Sequence, residues 1–123
     1  MKKILLVEDD DFLSSLLVKK FAQHGVEVER FASGQTALDA LHAEALPALM
    51  LLDLYLPDVN GFEVLEVVRK DEKMKDLRVI VISNTAQAAD KARVEALGAS
   101  FITKALVTPE DIVRMVQETL AKA

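Results

Sequence analysis

The sequence predicts an α/β fold: a single five-stranded parallel sheet in the order 2-1-3-4-5, with helices on both faces. Three observations predict it. Short apolar runs rich in Val, Ile and Leu alternate with longer stretches of helical period, and strict βα alternation implies a parallel sheet covered on both faces. The runs assigned to the middle strands are continuously apolar, as burial on two faces demands. The chain has 123 residues and no cysteine, a size that fits one domain, residues 1–123, with a core that needs no disulfide framework.

The first strand is read at Lys3–Val7, closed by the acidic run Glu8-Asp9-Asp10-Asp11. A helix over about Asp11–His24 follows, with Leu13, Leu17 and Phe21 at helical spacing, and Gly25 suits the left-handed stop position. The second strand, Glu27–Phe31, alternates polar and apolar, which marks a sheet edge. A helix over Ser33–His42 leads to the third strand, Leu49–Leu52, which runs into Asp53. Pro57-Asp58-Val59-Asn60-Gly61 is a turn cluster before a helix over Phe62–Lys70. The fourth strand, Val79–Ile82, runs into Ser83. The next helix, Gln87–Leu97, lies in a stretch, Ala86–Ala96, that is rich in alanine and offers few large packing groups. Gly98 stops it, and a short fifth strand, Phe101–Thr103, runs into Lys104. Thr108-Pro109-Glu110-Asp111 reads as an N-cap, a proline at the first helical position and acids in the first turn of a last helix, Pro109–Ala121.

Right-handed crossovers with the alternating strand at an edge give the flavodoxin-like, doubly wound order. The order switches between the first and third strands, and sites form at such switch points. Asp9, Asp10 and Asp53 are placed at that crevice, with Ser83 and Lys104 at the ends of the next two strands. An aspartate closing a buried strand beside other acids is repelled and desolvated, an arrangement a fold keeps mainly for a cation or a reaction. Hard oxygen donors without cysteine or clustered histidine favour Mg²⁺, or Mn²⁺, over zinc. One of the three aspartates, Asp11 on this reading, only caps the first helix. His24 and His42 read as ordinary surface or C-cap residues.

Composition excludes other classes. A net charge of −5 argues against direct nucleic-acid binding, which needs a basic face. No run approaches the ~20 apolar residues of a membrane span, and the four apolar residues after Met1-Lys2-Lys3 are too few for a signal peptide. The expected location is cytoplasmic. The first turn has no glycine-rich phosphate loop, so a nucleotide or flavin phosphate is not expected there.

The pieces LLVEDDD, LLDLYLPDVNG, VIVIS and FITK, in this order, resemble the receiver domain of two-component response regulators over essentially the whole chain. The resemblance implies that Asp53 is the phosphoacceptor and that Asp9, Asp10, Asp53 and the backbone carbonyl of Tyr55 hold Mg²⁺. It implies that Ser83 is the switch hydroxyl, Lys104 the phosphate-binding lysine and Phe101 the aromatic that repacks. The implied partners are a sensor histidine kinase or histidine phosphotransfer protein, a downstream protein target, and a second copy of the chain in a phosphorylation-dependent homodimer. The chain is then a stoichiometric phosphoacceptor in a stand-alone receiver, not an enzyme in turnover. Competing readings are a degenerate receiver that binds partners unphosphorylated, and an aspartate-nucleophile phosphatase. The latter class carries a second acid two residues after the nucleophile, where this chain has Tyr55. Three departures from the family pattern stand out: Ala105 instead of proline after Lys104, Asn84 after the switch hydroxyl, and one residue fewer between Gly98 and Phe101. A cis peptide after Lys104 is therefore not expected.

Overall fold

The computed structural model describes residues 2–43, 45–85 and 87–122. Ala86, the first residue of the alanine-rich stretch, lies outside the described residues, as does Met1. Ten main elements alternate: β1 (Lys2–Val7), α1 (Asp11–Gln23), β2 (Val26–Phe31), α2 (Gly34–Ala43), β3 (Leu49–Asp53), α3 (Gly61–Lys70), β4 (Val79–Ser83), α4 (Ala88–Ala96), β5 (Ser100–Thr103) and α5 (Pro109–Ala121). A 3₁₀ turn, Lys104–Leu106, which the sequence reading did not separate, joins β5 to α5. All strand pairs are parallel and the order is β2-β1-β3-β4-β5, as expected.

The period-2 alternation sorts the sheet into two cores. Leu5, Val7, Met50, Leu52, Val79 and Val81 face one side, against Leu38 and Leu41 of α2, Phe62, Leu65 and Val68 of α3, and Val94 of α4. Ile4, Leu6, Leu49, Leu51, Ile80 and Ile82 face the other, against Leu17 and Phe21 of α1 and Ile112, Val113 and Val116 of α5. Every residue of β3 and β4 is buried, whereas β2 buries only Val26, in keeping with its place at the edge. Truncating a central Leu such as Leu51 to Ala would cost about 2–5 kcal/mol.

The helix ends follow the sequence signals. Thr108 and Asp111 form a reciprocal capping box at the start of α5. Gly25 and Gly98 stop α1 and α4 with φ of 72° and 74°. The first aspartate signal resolves differently. Asp10, not Asp11, caps α1, its carboxylate accepting from the Leu13 N–H at 3.0 Å, while Asp11 pairs with Arg30 at 2.9 Å. His24 is the C-cap of α1; His42 contacts the Leu38 carbonyl through Nδ1 and Asp71 through Nε2. Phe12, one turn from the cap, is 81% exposed and takes no part in the core.

α4 is the least anchored helix. It buries only Val94, and polar contacts hold it instead. Arg69 of α3 donates to the carbonyls of Leu97 and Gly98 at the α4 C-terminus, and to those of Lys75 and Leu77. Arg93 of α4 lies over the Phe62 ring, 4.2 Å from its centre, and pairs with Glu66.

Candidate phosphoryl and cation site

Strand register brings the acids together. Val7 of β1 pairs with Leu52 of β3, so the residue after each apolar run, Glu8 and Asp53, stands at the same level of the sheet edge. Glu8 is fixed through its backbone: its N–H donates to the Phe31 carbonyl, and its own carbonyl accepts from Arg30 Nε and the Ser14 hydroxyl. Its side chain is fully buried and Asp53 is 5% exposed. Carboxylate oxygens of Glu8, Asp9 and Asp53 lie within 4.8 Å of one another. The expected set of Asp9, Asp10 and Asp53 is therefore corrected at one member. Asp10 turns to the α1 N-terminus, and Glu8 occupies the place expected for it.

Lys104 enters from the far side of the sheet edge. Its Nζ lies 2.5 Å from Glu8 Oε1 and 3.3 Å from Asp53 Oδ2. Burial works against its charge, but the contacts and fields of Glu8 and Asp53 prevail and hold its pKa above the ordinary lysine range. Burial is also the main influence on Glu8, reinforced by Asp53 and opposed by Lys104, and pushes it from 4.5 to about 7. The Lys104 ammonium engages Glu8 Oε1, while the second carboxylate oxygen, Oε2, is a buried acceptor without a donor. Buried acceptors are rarely left so unless something else engages them.

The remaining candidates take up neighbouring positions. Asp53 Oδ1 accepts from the Tyr55 N–H at 3.3 Å. Ser83 is fully buried at the end of β4, one residue beyond Ile82, the register partner of Asp53; its hydroxyl oxygen accepts from the Thr85 N–H at 3.3 Å. Phe101, half-buried on β5, packs against the core beneath α4. Asn84 and Ala105 line an open groove beside Lys104 with Asp10, Phe12 and Leu13. No cis peptide is present among the described residues. Glu8 is the residue that sequence reasoning missed. The signal existed: Ile4–Val7 and Leu49–Leu52 are both four-residue apolar runs, and each is followed directly by an acid.

Among the described residues no helix is long and apolar enough to cross a membrane. Residues 4–117 match the family described as response regulator receiver domain. The chain is 32% identical over 116 residues to the DNA-binding dual master transcriptional regulator RpaA of Synechocystis, covering 94% of this chain and 48% of that one, so it spans about half that regulator's length. It is 33% identical over 112 residues to the polar-differentiation response regulator DivK of Brucella ovis, covering 90% of each. Its structure is similar to the non-phosphorylated HemR receiver domain of Leptospira biflexa, with TM-score 0.90 and 31% identity over 100% of this chain and 97% of that one. It is also similar to the Mn²⁺-bound form of the response regulator Rcp1, with TM-score 0.83 and 28% identity over 100% and 97%. Sheet order, acidic crevice and the 4–117 match agree: this chain belongs to the response regulator receiver domains of two-component signalling.

Proposed function

We propose that the chain is one receiver domain over residues 1–123 that accepts a phosphoryl group on Asp53 from a histidine kinase or histidine phosphotransfer protein. The observation that carries this reading is the buried Asp53 carboxylate with the Lys104 ammonium 3.3 Å away. In the transfer, an Asp53 oxygen attacks phosphorus in line while the bond from phosphorus to nitrogen of a phosphohistidine protonated on its other ring nitrogen breaks, so that neutral imidazole leaves with the bonding pair. Little covalent work is asked of the protein; it orients the carboxylate and offsets charge. Lys104 supplies a cation to the phosphoryl oxygens, and the Ser83 hydroxyl donates to one of them. The product is an acyl phosphate, which water later cleaves to restore the carboxylate and release inorganic phosphate. The role is a stoichiometric switch.

The site suits a hard divalent cation. Its metal-ligating atoms are all oxygen, and Glu8 Oε2 is buried without a donor. Glu8, Asp9, Asp53 and the Tyr55 backbone carbonyl would hold Mg²⁺ or Mn²⁺, which when bound supplies charge neutralisation between carboxylate and phosphoryl group. Phe101, packed under α4, is the aromatic whose repacking carries the change to the α4–β5–α5 surface, where a downstream protein or a second copy binds. Around the crevice, Phe12 and Leu106 are each 81% exposed and offer apolar anchors to a phosphodonor's helices.

Mass spectrometry after incubation with acetyl phosphate and Mg²⁺ tests the assignment. One added phosphoryl group is expected, absent in Asp53→Asn. Unchanged labelling in that variant would refute the role of Asp53.

A further inference from the structure

Four hydrogen bonds, two local and two that meet at Asp90, form a chain between Asp53 and Ser83. The Tyr55 N–H donates to Asp53 Oδ1, and the Tyr55 phenol donates to Asp90 Oδ2 at 3.0 Å. The Thr85 N–H donates to the Ser83 hydroxyl oxygen, and the Thr85 hydroxyl donates to the same Asp90 Oδ2 at 2.8 Å. A continuous path therefore runs from Asp53 through Tyr55, Asp90 and Thr85 to Ser83. Its midpoint is one carboxylate oxygen in the first turn of α4.

We propose that Asp90 is a positioning residue for phosphoryl transfer: it staples the Tyr55 loop to the Thr85 loop and holds both in the unphosphorylated arrangement. The inference rests on the reading of Asp53 as phosphoacceptor and goes beyond it. Three observations support it. First, Asp90 holds the third helical position after the N-cap Gln87, where an acid ordinarily bonds back to the cap; here its contacts are with the two loops, and Gln87 makes no side-chain cap. Second, the α4 start leans on the same network, because the Gln87 N–H donates to Thr85 Oγ1 at 3.3 Å. Third, α4 buries only Val94, so polar ties at its first turn weigh heavily in where it sits. When the Ser83 hydroxyl turns to a phosphoryl oxygen, the Thr85 amide must follow it or lose its acceptor. Following it draws Thr85 from Asp90 and frees the N-terminus of α4; staying leaves the Thr85 amide unpaired, so with the staple intact both routes cost the phosphorylated state. A contact present in only one of two states biases the equilibrium against the other. Asp90 therefore opposes phosphorylation, and its loss favours it.

The chain reports on this staple itself, having one tyrosine and no tryptophan. A carboxylate that accepts a phenol's hydrogen bond quenches tyrosine emission. The experiment follows Tyr55 fluorescence and phosphoryl mass gain together, with acetyl phosphate and Mg²⁺, in wild type, Asp90→Asn, Asp90→Ala and Thr85→Val. In wild type, emission should rise as the mass gain appears. Asp90→Ala should be bright before labelling and unchanged by it. Both Asp90 variants should label about threefold to tenfold faster, the scale of one ordinary net hydrogen bond, and Thr85→Val should shift the rate the same way. A helix weakened merely at its start would not remove the phosphorylation-dependent emission change. Wild type that gains the phosphoryl mass without a change in emission would overturn the staple, as would Asp90→Asn labelling at or below the wild-type rate. Wild type that gains no mass overturns the phosphoacceptor reading itself and the staple with it, a result distinct from both.

Discussion

Gly61 stands directly behind Asp53, and replacing it with alanine should damage both the fold and the chemistry proposed for that carboxylate. Its N–H donates to the Leu54 carbonyl at 2.7 Å as the β3–α3 loop closes onto α3. A Cβ at this position would lie 2.4 Å from the Asp53 carbonyl oxygen and 2.6 Å from the Leu54 Cα. Both obstacles are backbone, so no side chain can swing away. Relief requires about 1 Å of movement, either by the end of β3 or by the start of α3, to restore ordinary van der Waals separation. Overpacking of this kind costs about 1–3 kcal/mol, and rigid obstacles on two sides place Gly61→Ala near the top of that range. With an unfolding entropy of ~2.1 cal/mol/K per residue over 123 residues, the midpoint should fall by about 12 °C. Displacing a reacting group by about 1 Å costs on the order of a hundredfold in rate, so labelling by acetyl phosphate should slow by that factor. Gly25→Ala is the control. Its φ is 72° but nothing lies within 4 Å of the new Cβ, so backbone strain of about 1 kcal/mol should lower the midpoint by about 4 °C and leave labelling unchanged. Circular dichroism melts and mass-resolved labelling measure both quantities. Gly61→Ala melting no lower than Gly25→Ala, with labelling at the wild-type rate, would refute the reasoning.

Mg²⁺ at ten times its dissociation constant should stabilise the folded chain by about 1.4 kcal/mol; Glu8→Gln and Asp9→Asn should lose most of this gain in thermal melts. Asp10→Ala should keep the Mg²⁺ response and lose about 1 kcal/mol of basal stability with its cap; loss of the Mg²⁺ response in this variant would return Asp10 to the cation site. In chelator-treated protein, Glu8 binds its proton more tightly folded than unfolded, so its contribution to stability is full below about 4.5 and is lost as pH rises through about 7. Urea titrations should show stability falling across that window, with the fall reduced in Glu8→Gln; an identical profile in both proteins would contradict the assignment. Asn84, exposed in the groove beside Lys104, should impede donors or water at Asp53. Asn84→Ala is expected to speed labelling, hydrolysis or both in stopped-flow and phosphate-release assays, and equal rates for both steps would exclude gating.

Most of the fold was legible because burial imposes its period directly on the sequence. The continuous apolar runs of β3 and β4 and the alternation of β2 separate centre from edge without any coordinates. Asp53, Ser83 and Lys104 were legible for the same reason, since each closes an apolar run at the sheet edge. The choice among Glu8, Asp9, Asp10 and Asp11 was harder. Four adjacent acids fit either a helix cap or a cation site, and only the backbone path between β1 and α1 decides which carboxylate turns inward. Register sets Glu8 level with Asp53, and Asp10 accepts from the Leu13 amide. Asp90 left no trace in the sequence. Its partners Tyr55 and Thr85 come from two other loops, and their convergence is purely tertiary.

The strand order also governs how the sheet can be built as the polypeptide emerges from the ribosome. β1 and β2 form the first pair, joined through α1; β3 then docks on the free side of β1, and β4 and β5 each dock on the strand laid down just before, always on the same growing side. No strand has to be wedged between two that have already paired. Domains fold as units during synthesis, and unpaired strand edges on incomplete chains are a hazard of that period. Here β2 keeps one edge throughout, and only the other edge advances, each time covered by the next strand to emerge. The last to arrive is the shortest, β5, which carries Phe101 and leads directly into Lys104. Assembly of the sheet and the arrival of Lys104 beside Glu8 and Asp53 are thus the same final event.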